Sequence, residues 1–263
     1  MSTYQHLTLT RDGGIARLTL RRPEVHNAFD DVLVAELTRA AEEIAADGSV
    51  RVAVLAGEGK SFCAGADVNW MKRMVNYTFD ENVADSKRLA AMLRALDRIP
   101  RPVVCRIQGV AYGGGVGLLS VCDIVVAAND ALFSLSEVRL GILPAVISPF
   151  VLRRLSQGVG RALFLTGERF NAERALQVGL IDRVVAPDAL DAAVDEVIGE
   201  LLKGGPVAHA KIKELIPKVH GHTPEEMADL TARTNAEARA SAEGQEGLKA
   251  FLEKRRPSWS EKR

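Results

Sequence analysis

Strict alternation of apolar and polar residues marks the start of the chain. The segment YQHLTLTRDGGIARLTLRRP alternates on both sides of Asp12-Gly13-Gly14, and this predicts a β-hairpin. Apolar residues at helical spacing come next, and they predict a helix from a cap at Asn27 to about Ala46, where Asp47-Gly48 stops it. The predicted inward face of this helix consists of Leu33, Leu37, Ala41 and Ile44.

Strand and helix patterns then alternate along the middle of the chain. Buried strands are predicted at residues 50–57, 103–109, 123–128 and 181–185. Helices are predicted at about 80–97, at 171–180 up to Gly179, and from Pro187 to about Lys203. This order implies an α/β fold with parallel strand pairs and right-handed crossovers.

The pattern changes at Gly204-Gly205-Pro206, after which no strand signal remains. Thr223-Pro224-Glu225-Glu226 predicts a helix start with a capping box, and EGLKAFLEKRRPSW predicts a further helix. We expect about three helices here. They are too few to bury their own apolar faces, which favours packing on another subunit over packing on the core alone. The predicted division is therefore a core at residues 1–203 and a helical oligomerisation region at 204–263.

Charge and composition exclude several classes of function. The chain has 34 Lys and Arg residues and 34 Asp and Glu residues. It therefore has no excess of positive charge that would favour binding to nucleic acid or to an anionic membrane. No apolar run reaches the ~20 residues of a membrane span, and no secretory signal is visible. Three cysteines without a CxxC pair indicate reduced thiols in a cytoplasmic protein. His220 and His222 lack further ligand candidates nearby, so we predict no metal site.

Two segments share one local form, in which a strand runs into a glycine-bearing turn and then a helix. They are GEGKSFCAGADVNWMKRM and QGVAYGGGVGLLSVC. The first N–H groups of a helix have no internal partner, and glycine allows a ligand to approach them. Gly65-Ala66 precedes one helix, with Asp67 as its cap, and Gly114 begins the other. Two such N–H groups that converge would form an oxyanion hole, whereas tight helix–strand packing explains the glycines equally well.

Nucleotide-binding loops fit these glycines poorly. Gly59-Lys60-Ser61 ends like a phosphate-binding loop, but that motif needs glycine at the position of Val54. GGGVG, at residues 113–117, does not form a GxGxxG fingerprint.

One carboxylate interrupts the apolar segment ALFSLSEVRLGILPAVISPF. This is Glu137, which has two readings. It is either a surface residue paired with Arg139, or an acid–base group whose pKa a partly dry pocket raises.

Four segments together resemble the crotonase (enoyl-CoA hydratase/isomerase) superfamily in order and spacing. They are SFCAGADVNWM, QGVAYGGGVGLLSVCDIVVA, FSLSEVRLGILPAVISPF and LTGERFNAERALQVGLIDRVV, and with LRRPEVHNAF and EGLKAFLEKR the match covers nearly the whole chain. LSEVRLGILPAVISPFVLRR and EGQEGLKAFLEKRRPSW are most similar to the 3-methylglutaconyl-CoA hydratase group, from which the isohexenylglutaconyl-CoA hydratases are hard to separate.

The resemblance implies a spiral of ββα units with two sheets, followed by a C-terminal helical trimerisation region, with trimers often paired into hexamers. It implies an acyl-CoA substrate whose thioester oxygen lies between the N–H groups of Ala66 and Gly114. Coenzyme A is part of that substrate, and no separate cofactor is implied. The implied coenzyme A contacts are Ala64, Gly65, Ala66, Asp67 and Val68, with Phe251 and Lys254 reaching the coenzyme A of a neighbouring subunit.

One departure from the family pattern affects the expected chemistry. Typical hydratases carry two glutamates, and here one matches Glu137 while the other position holds Gly117. We expect Gly117 to remove a side chain that would point into the pocket.

The resemblance implies reversible hydration of a branched, carboxylated 2-enoyl-CoA, such as 3-methylglutaconyl-CoA to 3-hydroxy-3-methylglutaryl-CoA, in leucine and isovaleryl-CoA metabolism. An enoyl-CoA isomerase is the alternative, since moving a double bond needs a single carboxylate. A non-catalytic coenzyme A-binding protein is a third. Lys72, Arg73 and Arg139 are candidates by position for the substrate's distal carboxylate, and residues 75–88 are expected to cover the acyl pocket.

Overall fold

The predicted hairpin forms the edge of the main sheet. The computed structural model describes residues 3–260 of the 263-residue chain. Strands β1 (Leu7–Asp12) and β2 (Ile15–Leu20) pair antiparallel across Gly13 and Gly14. Both glycines have positive φ, +56° and +83°, which is the conformation that a tight hairpin turn of this kind requires.

Seven more strands follow. They are β3 (Val52–Gly57), β4 (Val103–Ile107), β5 (Val110–Tyr112), β6 (Ile124–Ala128), β7 (Leu132–Ser134), β8 (Arg169–Asn171) and β9 (Arg183–Val185). A six-stranded sheet has the order β1-β2-β3-β4-β6-β9, and a three-stranded sheet has the order β5-β7-β8. The large sheet is parallel apart from its hairpin, while β8 runs antiparallel to β7. The α/β class, the parallel pairings and the two sheets agree with the expectation.

The described part of the chain contains the following α-helices: α1 (Asp31–Ala46), α2 (Val68–Met74), α3 (Phe79–Asp97), α4 (Gly114–Ser120), α5 (Ser148–Arg154), α6 (Gln157–Thr166), α7 (Ala172–Gln177), α8 (Leu190–Lys203), α9 (Pro206–Val219), α10 (Pro224–Ala240) and α11 (Ala242–Leu252). No helix within residues 3–260 is both long and apolar enough to cross a membrane.

Apolar residues fill both faces of the large sheet, which explains the continuous hydrophobic runs of its parallel strands. On one face Val52, Val54 and Val104 join the apolar side of α8. The alternate residues, such as Ala53 and Leu55, lie in the larger core with α1 and α3. The three cysteines are buried and free, as the sequence predicts.

The cap of α1 corrects one prediction. Asp30, not Asn27, is the N-cap, and its carboxylate accepts the N–H of Leu33 at 2.7 Å. Asn27 is fully buried and has a φ of +55°. Its amide donates to the carbonyl oxygens of Glu58 and Ser61 at 2.9 and 2.8 Å, and its oxygen accepts the N–H of Arg22 at 2.8 Å. Asn27 therefore holds two loops together rather than starting a helix.

Three helices, α9 to α11, follow residue 204, and the capping box at Thr223 and Glu226 forms as predicted. Arg51 fastens this region to the core through the carbonyl oxygens of Gly204 and Trp259, at 2.7 and 2.8 Å. Lys213 of α9 donates to Asp123 at 2.6 Å. Helices α9 and α10 bury no residue in the single chain. The division at residue 203 stays a prediction.

Candidate functional site

The first glycine-bearing turn connects β3 to α2 and holds an exposed backbone amide. Gly65 has a φ of +93°, and a β-carbon there would lie 2.9 Å from the Tyr112 oxygen, so only glycine suits the position. The Gly65 carbonyl accepts the Phe29 N–H, and the Asp67 N–H donates to the Phe29 carbonyl, both at 2.7 Å. In a trans peptide the Ala66 N–H points away from the Gly65 oxygen. No hydrogen bond within residues 3–260 uses this N–H, and Ala66 is exposed.

The second turn connects β5 to α4. Gly113 takes φ +48° and ψ −114°, and its carbonyl accepts the N–H groups of Val116 and Gly117 at 2.9 and 3.2 Å. Gly114 is the first residue of α4, so its N–H has no partner in the helix, and none elsewhere in the described chain. The helix begins where the sequence predicts.

The two turns lie side by side. The ideal β-carbon position on Gly65 is 3.7 Å from the Gly114 nitrogen. Cys63 and Ala111 form a parallel bridge beneath them, with the Tyr112 N–H donating to the Cys63 oxygen at 3.0 Å. A β-carbon on Gly115 would come within 2.4 Å of that same oxygen. Tight packing therefore explains Gly115, while Gly65 and Gly114 border two adjacent, partnerless amides.

Glu137 reaches the second turn from a 3₁₀ turn at Ser136–Leu140, directly after β7. Its Oε1 lies 3.1 Å from the ideal β-carbon position of Gly113, the residue before Gly114. Its Oε2 is buried and has no hydrogen-bond partner. Burial raises the pKa of the Glu137 carboxyl above its ordinary value. Of the ion pairs in residues 3–260, none joins Glu137 to Arg139, so the surface-pair reading is wrong.

Gly117 faces the core. A β-carbon there would lie 2.4 Å from Ile147 Cγ2, 3.0 Å from Ile147 Cβ and 3.8 Å from Leu93 Cδ2. Ile147 is 3% exposed and Leu93 is fully buried. The space next to Gly117 that a second carboxylate would need is therefore filled by apolar side chains, which differs from the open pocket that we expected.

The residues that follow the first turn have several roles. Asp67 is buried, and its carboxylate accepts the Asn69 N–H at 2.7 Å and an Arg22 N–H at 2.9 Å. Burial acts to raise the pKa of Asp67, but these hydrogen bonds outweigh it and hold the pKa below its usual range. Asp67 thus caps α2 as predicted. Ala64 is half-buried, Gly65 is buried and Val68 is exposed.

Two predicted contacts lie far along the chain. Phe251 is 81% exposed on α11, and Lys254 is exposed just after this helix with a φ of +54°. In the described residues no hydrogen bond or ion pair joins either one to the two turns. Between residues 3 and 260, no group of three His, Cys, Asp or Glu side chains is placed to hold a metal.

Sequence reasoning missed Phe29 and Ile147, which contact the glycines that it singled out. Both residues lie outside the glycine-bearing turns, at Phe29 before α1 and at Ile147 before α5. A glycine in the sequence indicates that another group approaches the backbone closely, but the sequence does not show which residue that group belongs to. Only three-dimensional contacts could identify these partners.

The fold and the site together define a class of protein: an α/β enzyme with two sheets, two adjacent turn amides and one half-buried carboxyl beside them. The profile of the enoyl-CoA hydratase/isomerase family matches residues 10–262. The chain belongs to this family, the crotonase superfamily, and is an enzyme of the hydratase/isomerase type.

Individual relatives agree with this assignment. A crystal structure of an enoyl-CoA hydratase from Shewanella pealeana superposes with a TM-score of 0.94 at 41% identity, covering 97% of this chain and 96% of that one. A putative enoyl-CoA hydratase from Thermus thermophilus is 32% identical over 93% of this chain and 97% of that protein. A 1,2-epoxyphenylacetyl-CoA isomerase from Escherichia coli is 33% identical over 95% of this chain and 96% of that protein.

Proposed function

We propose that the Ala66 and Gly114 amides form an oxyanion hole for the thioester oxygen of an acyl-CoA, and that Glu137 moves protons beside it. The observation that carries the proposal is the adjacency of two partnerless amides to one half-buried carboxyl with a raised pKa. Donors fixed in place before the reaction stabilise the enolate charge, and each is worth about 3 kcal/mol.

The proposed reaction is the reversible hydration of a 2-enoyl-CoA. Glu137 takes a proton from water as the water oxygen bonds to C3, and the two amides stabilise the resulting enolate. The protonated Glu137 then donates its proton to C2, so that one water molecule is added in total. A raised pKa brings the carboxyl closer to the proton affinity that both steps need.

The proposed substrate is 3-methylglutaconyl-CoA, giving 3-hydroxy-3-methylglutaryl-CoA in leucine and isovaleryl-CoA metabolism, or the related isohexenylglutaconyl-CoA. A tertiary hydroxyl leaves more easily than a secondary one, which reduces the need for a second acid. A glycine at 117 also avoids repulsion with the substrate's own distal carboxylate. Arg139 and Lys72 have no carboxylate partner in the described chain, whereas Arg73 is already paired with Asp31. The first two are therefore the better candidates to bind that carboxylate.

Isomerisation of an enoyl-CoA is the second candidate, and the packing of Ile147 on Gly117 favours it. An apolar wall in place of the second carboxylate leaves one group to carry a proton between carbons. The identity to an isomerase is as high as that to several hydratases.

We further propose that residues 64–68 hold coenzyme A, and that Phe251 and Lys254 contact the coenzyme A of a neighbouring subunit in a trimer or hexamer. The exposure of both residues supports this proposal, since each is available to another copy of the chain. Apolar side chains on α9 and α11 are exposed as well, among them Ile212, Ile216, Leu248 and Leu252.

A substrate panel tests the reaction class. Crotonyl-, 3-methylcrotonyl-, 3-methylglutaconyl- and 3-hydroxy-3-methylglutaryl-CoA, together with a 3-enoyl-CoA, are each incubated in deuterated water. A hydroxyl product from 3-methylglutaconyl-CoA supports the hydratase, while double-bond movement without a hydroxyl product supports the isomerase.

The role of Glu137 has its own test. Glu137→Gln keeps the shape of the side chain but cannot take a proton, so we expect it to remove nearly all turnover. Folding is checked by circular dichroism. A folded variant that keeps activity within tenfold of the unaltered enzyme rules out this role.

A further inference from the structure

Phe29, which is neither in the two turns nor next to Glu137, contacts the peptide unit that carries the Ala66 N–H and packs against Gly114. The Phe29 N–H donates to the Gly65 oxygen, and the Phe29 oxygen accepts the Asp67 N–H, both at 2.7 Å. These two bonds hold the peptide units on either side of Ala66. The Ala66 N–H is therefore fixed to point away from Phe29.

The ring of Phe29 packs against the other amide-bearing residue. An ideal β-carbon on Gly114 would lie 2.2 Å from Phe29 Cε2 and 2.8 Å from Cδ2. The ring thus occupies the place of a side chain at 114, in contact with the first residue of α4. Phe29 is only 2% exposed, so the surrounding core leaves the ring little freedom.

The chain next to Phe29 is itself held firmly. Asp30 caps α1 and lies 3.2 Å from His6 Nδ1 and 3.3 Å from an Arg22 nitrogen. The same Arg22 nitrogen is 2.9 Å from the Asp67 carboxylate, which caps α2. A connected set of polar contacts therefore fixes Phe29 relative to Asp67, where the first turn enters α2.

From these contacts we infer that Phe29 is a positioning residue, which sets the separation and the direction of the Ala66 and Gly114 N–H groups. The inference rests on the proposed oxyanion role of those amides. The Phe29 backbone holds the peptide unit of the Ala66 N–H and its ring packs against Gly114, so a shift of Phe29 would move both groups. Displacements of about 1 Å in such a group cost up to ~100-fold in rate.

Truncation of the ring tests the inference by kinetics. Phe29→Leu removes the far side of the ring but keeps a buried apolar side chain, and Phe29→Ala removes it all. We expect kcat to fall roughly tenfold or more, with KM changed by less than about threefold, because the coenzyme A contacts are untouched. The assay uses whichever acyl-CoA of the panel turns over.

Leu37→Ala is the matched control. Leu37 is fully buried on α1, but it is not among the nearest neighbours of Gly65 or Gly114. We expect Leu37→Ala to lower the melting temperature by a comparable amount without changing kcat of the folded enzyme. Phe29 is only a core residue if Phe29→Leu keeps kcat within twofold, or if both positions lower kcat equally.

A spectroscopic measurement separates this inference from the proposed function. Acetyl-CoA labelled with ¹³C at its thioester carbonyl is bound, and the carbonyl stretch is recorded by difference infrared spectroscopy. Two converging N–H donors lower this frequency, and Phe29→Ala should reduce the shift at saturating acetyl-CoA. If the unaltered enzyme binds acetyl-CoA but shows no shift, the oxyanion proposal fails. If it shows a shift that Phe29→Ala leaves unchanged, the inference about Phe29 fails.

Gly114→Ala alters the same contact through Gly114 instead of Phe29. It is the variant to use if neither Phe29 variant folds. The added methyl group meets the ring at 2.2 Å and must displace it or α4. We expect the carbonyl shift to shrink in Gly114→Ala, and a full shift there contradicts the inference.

Discussion

Glu137 combines two properties at the scale of one residue: a carboxyl that is removed from water by burial, and a carboxyl oxygen without a hydrogen-bond donor. Such a group is costly to ionise, and the native fold tolerates that cost. A structural glutamate in the same place would be paired. The absence of a hydrogen-bond donor to the buried Oε2 in the described chain therefore agrees with a group that handles protons.

Because ionising the buried Glu137 carboxyl is unfavourable, the stability of the folded chain should depend on pH. Burial raises the pKa of Glu137 in the folded state, so the native state loses stability as pH rises from the ordinary glutamate pKa, about 4.3, through the raised value. Glu137→Gln removes the charge. It should make the protein more stable than the unaltered chain at pH 7, with a difference that vanishes near pH 4. Urea unfolding at several pH values measures this, and a difference that does not depend on pH contradicts it.

Gly117 shows how a single position limits the chemistry of a site. Gly117→Glu would place its β-carbon 2.4 Å from Ile147 Cγ2. Overpacking of this kind costs about 1–3 kcal/mol, and a buried carboxylate adds to it. We expect a clear loss of stability in denaturant unfolding. The loss should be smaller when the same substitution is made in an Ile147→Ala background, and equal losses in the two backgrounds would show that Ile147 is not the obstacle.

At the scale of elements, most segments with a clear hydrophobic pattern were predictable, including the short strand β9, whereas the strands of the small sheet were not. The hairpin and the helix from about 80 to 97 follow from side-chain period, and the buried strands follow from continuous apolar runs between turn signals. Strands β5, β7 and β8 have three residues each, which is too few to show a period. They pair with one another in the small sheet, β5 with β7 and β7 with β8. Both glycine turns were visible in the sequence, whereas Phe29 and Ile147 were not.

Asn27 shows why the cap of α1 was assigned wrongly. Asparagine favours caps and positive φ alike, so its sequence signal does not separate the two. The structure uses the second property, and the side chain makes three hydrogen bonds between loops.

We therefore expect Asn27→Ala to destabilise the fold more than Asp30→Ala. The first leaves three backbone groups without a partner, at about 1–3 kcal/mol for each that stays dry. The second removes one N-cap, worth about 1 kcal/mol, and the contacts of Asp30 with His6 and Arg22, but Arg22 keeps its hydrogen bonds to Asp67 and to the Ala28 oxygen. Equilibrium unfolding in urea compares them, and the opposite order would mean that water replaces the bonds of Asn27.

At the scale of the whole molecule, the helices after residue 204 lie outside the core. Their apolar side chains are exposed, including Ile216 at 59% and Leu252 at 78%, while Arg51 and Lys213 attach them to the sheet region. An exposed apolar face of this kind marks an interaction surface. The proposed trimer or hexamer would cover it with another copy of the chain.

Ile216→Asp tests that assembly. A charge on the apolar side of α9 should disrupt it, because the carboxylate would be buried without a partner. Light scattering after gel filtration should show the mass fall toward the 28.4 kDa of one chain. Ala228→Asp adds the same charge to the exposed, polar helix α10 and serves as the control. An unchanged mass for Ile216→Asp places the interface elsewhere.

The contact between Gly117 and Ile147 also bears on how such an enzyme can change over generations. With isoleucine at 147, a site with a second glutamate at 117 is hard to reach, because that side chain does not fit until residue 147 becomes smaller. Gaining the second glutamate then takes two ordered substitutions, and the first gives no catalytic benefit. Packing about one helical turn along α4 from Gly114 can thus restrict the chemistry that a site is able to gain.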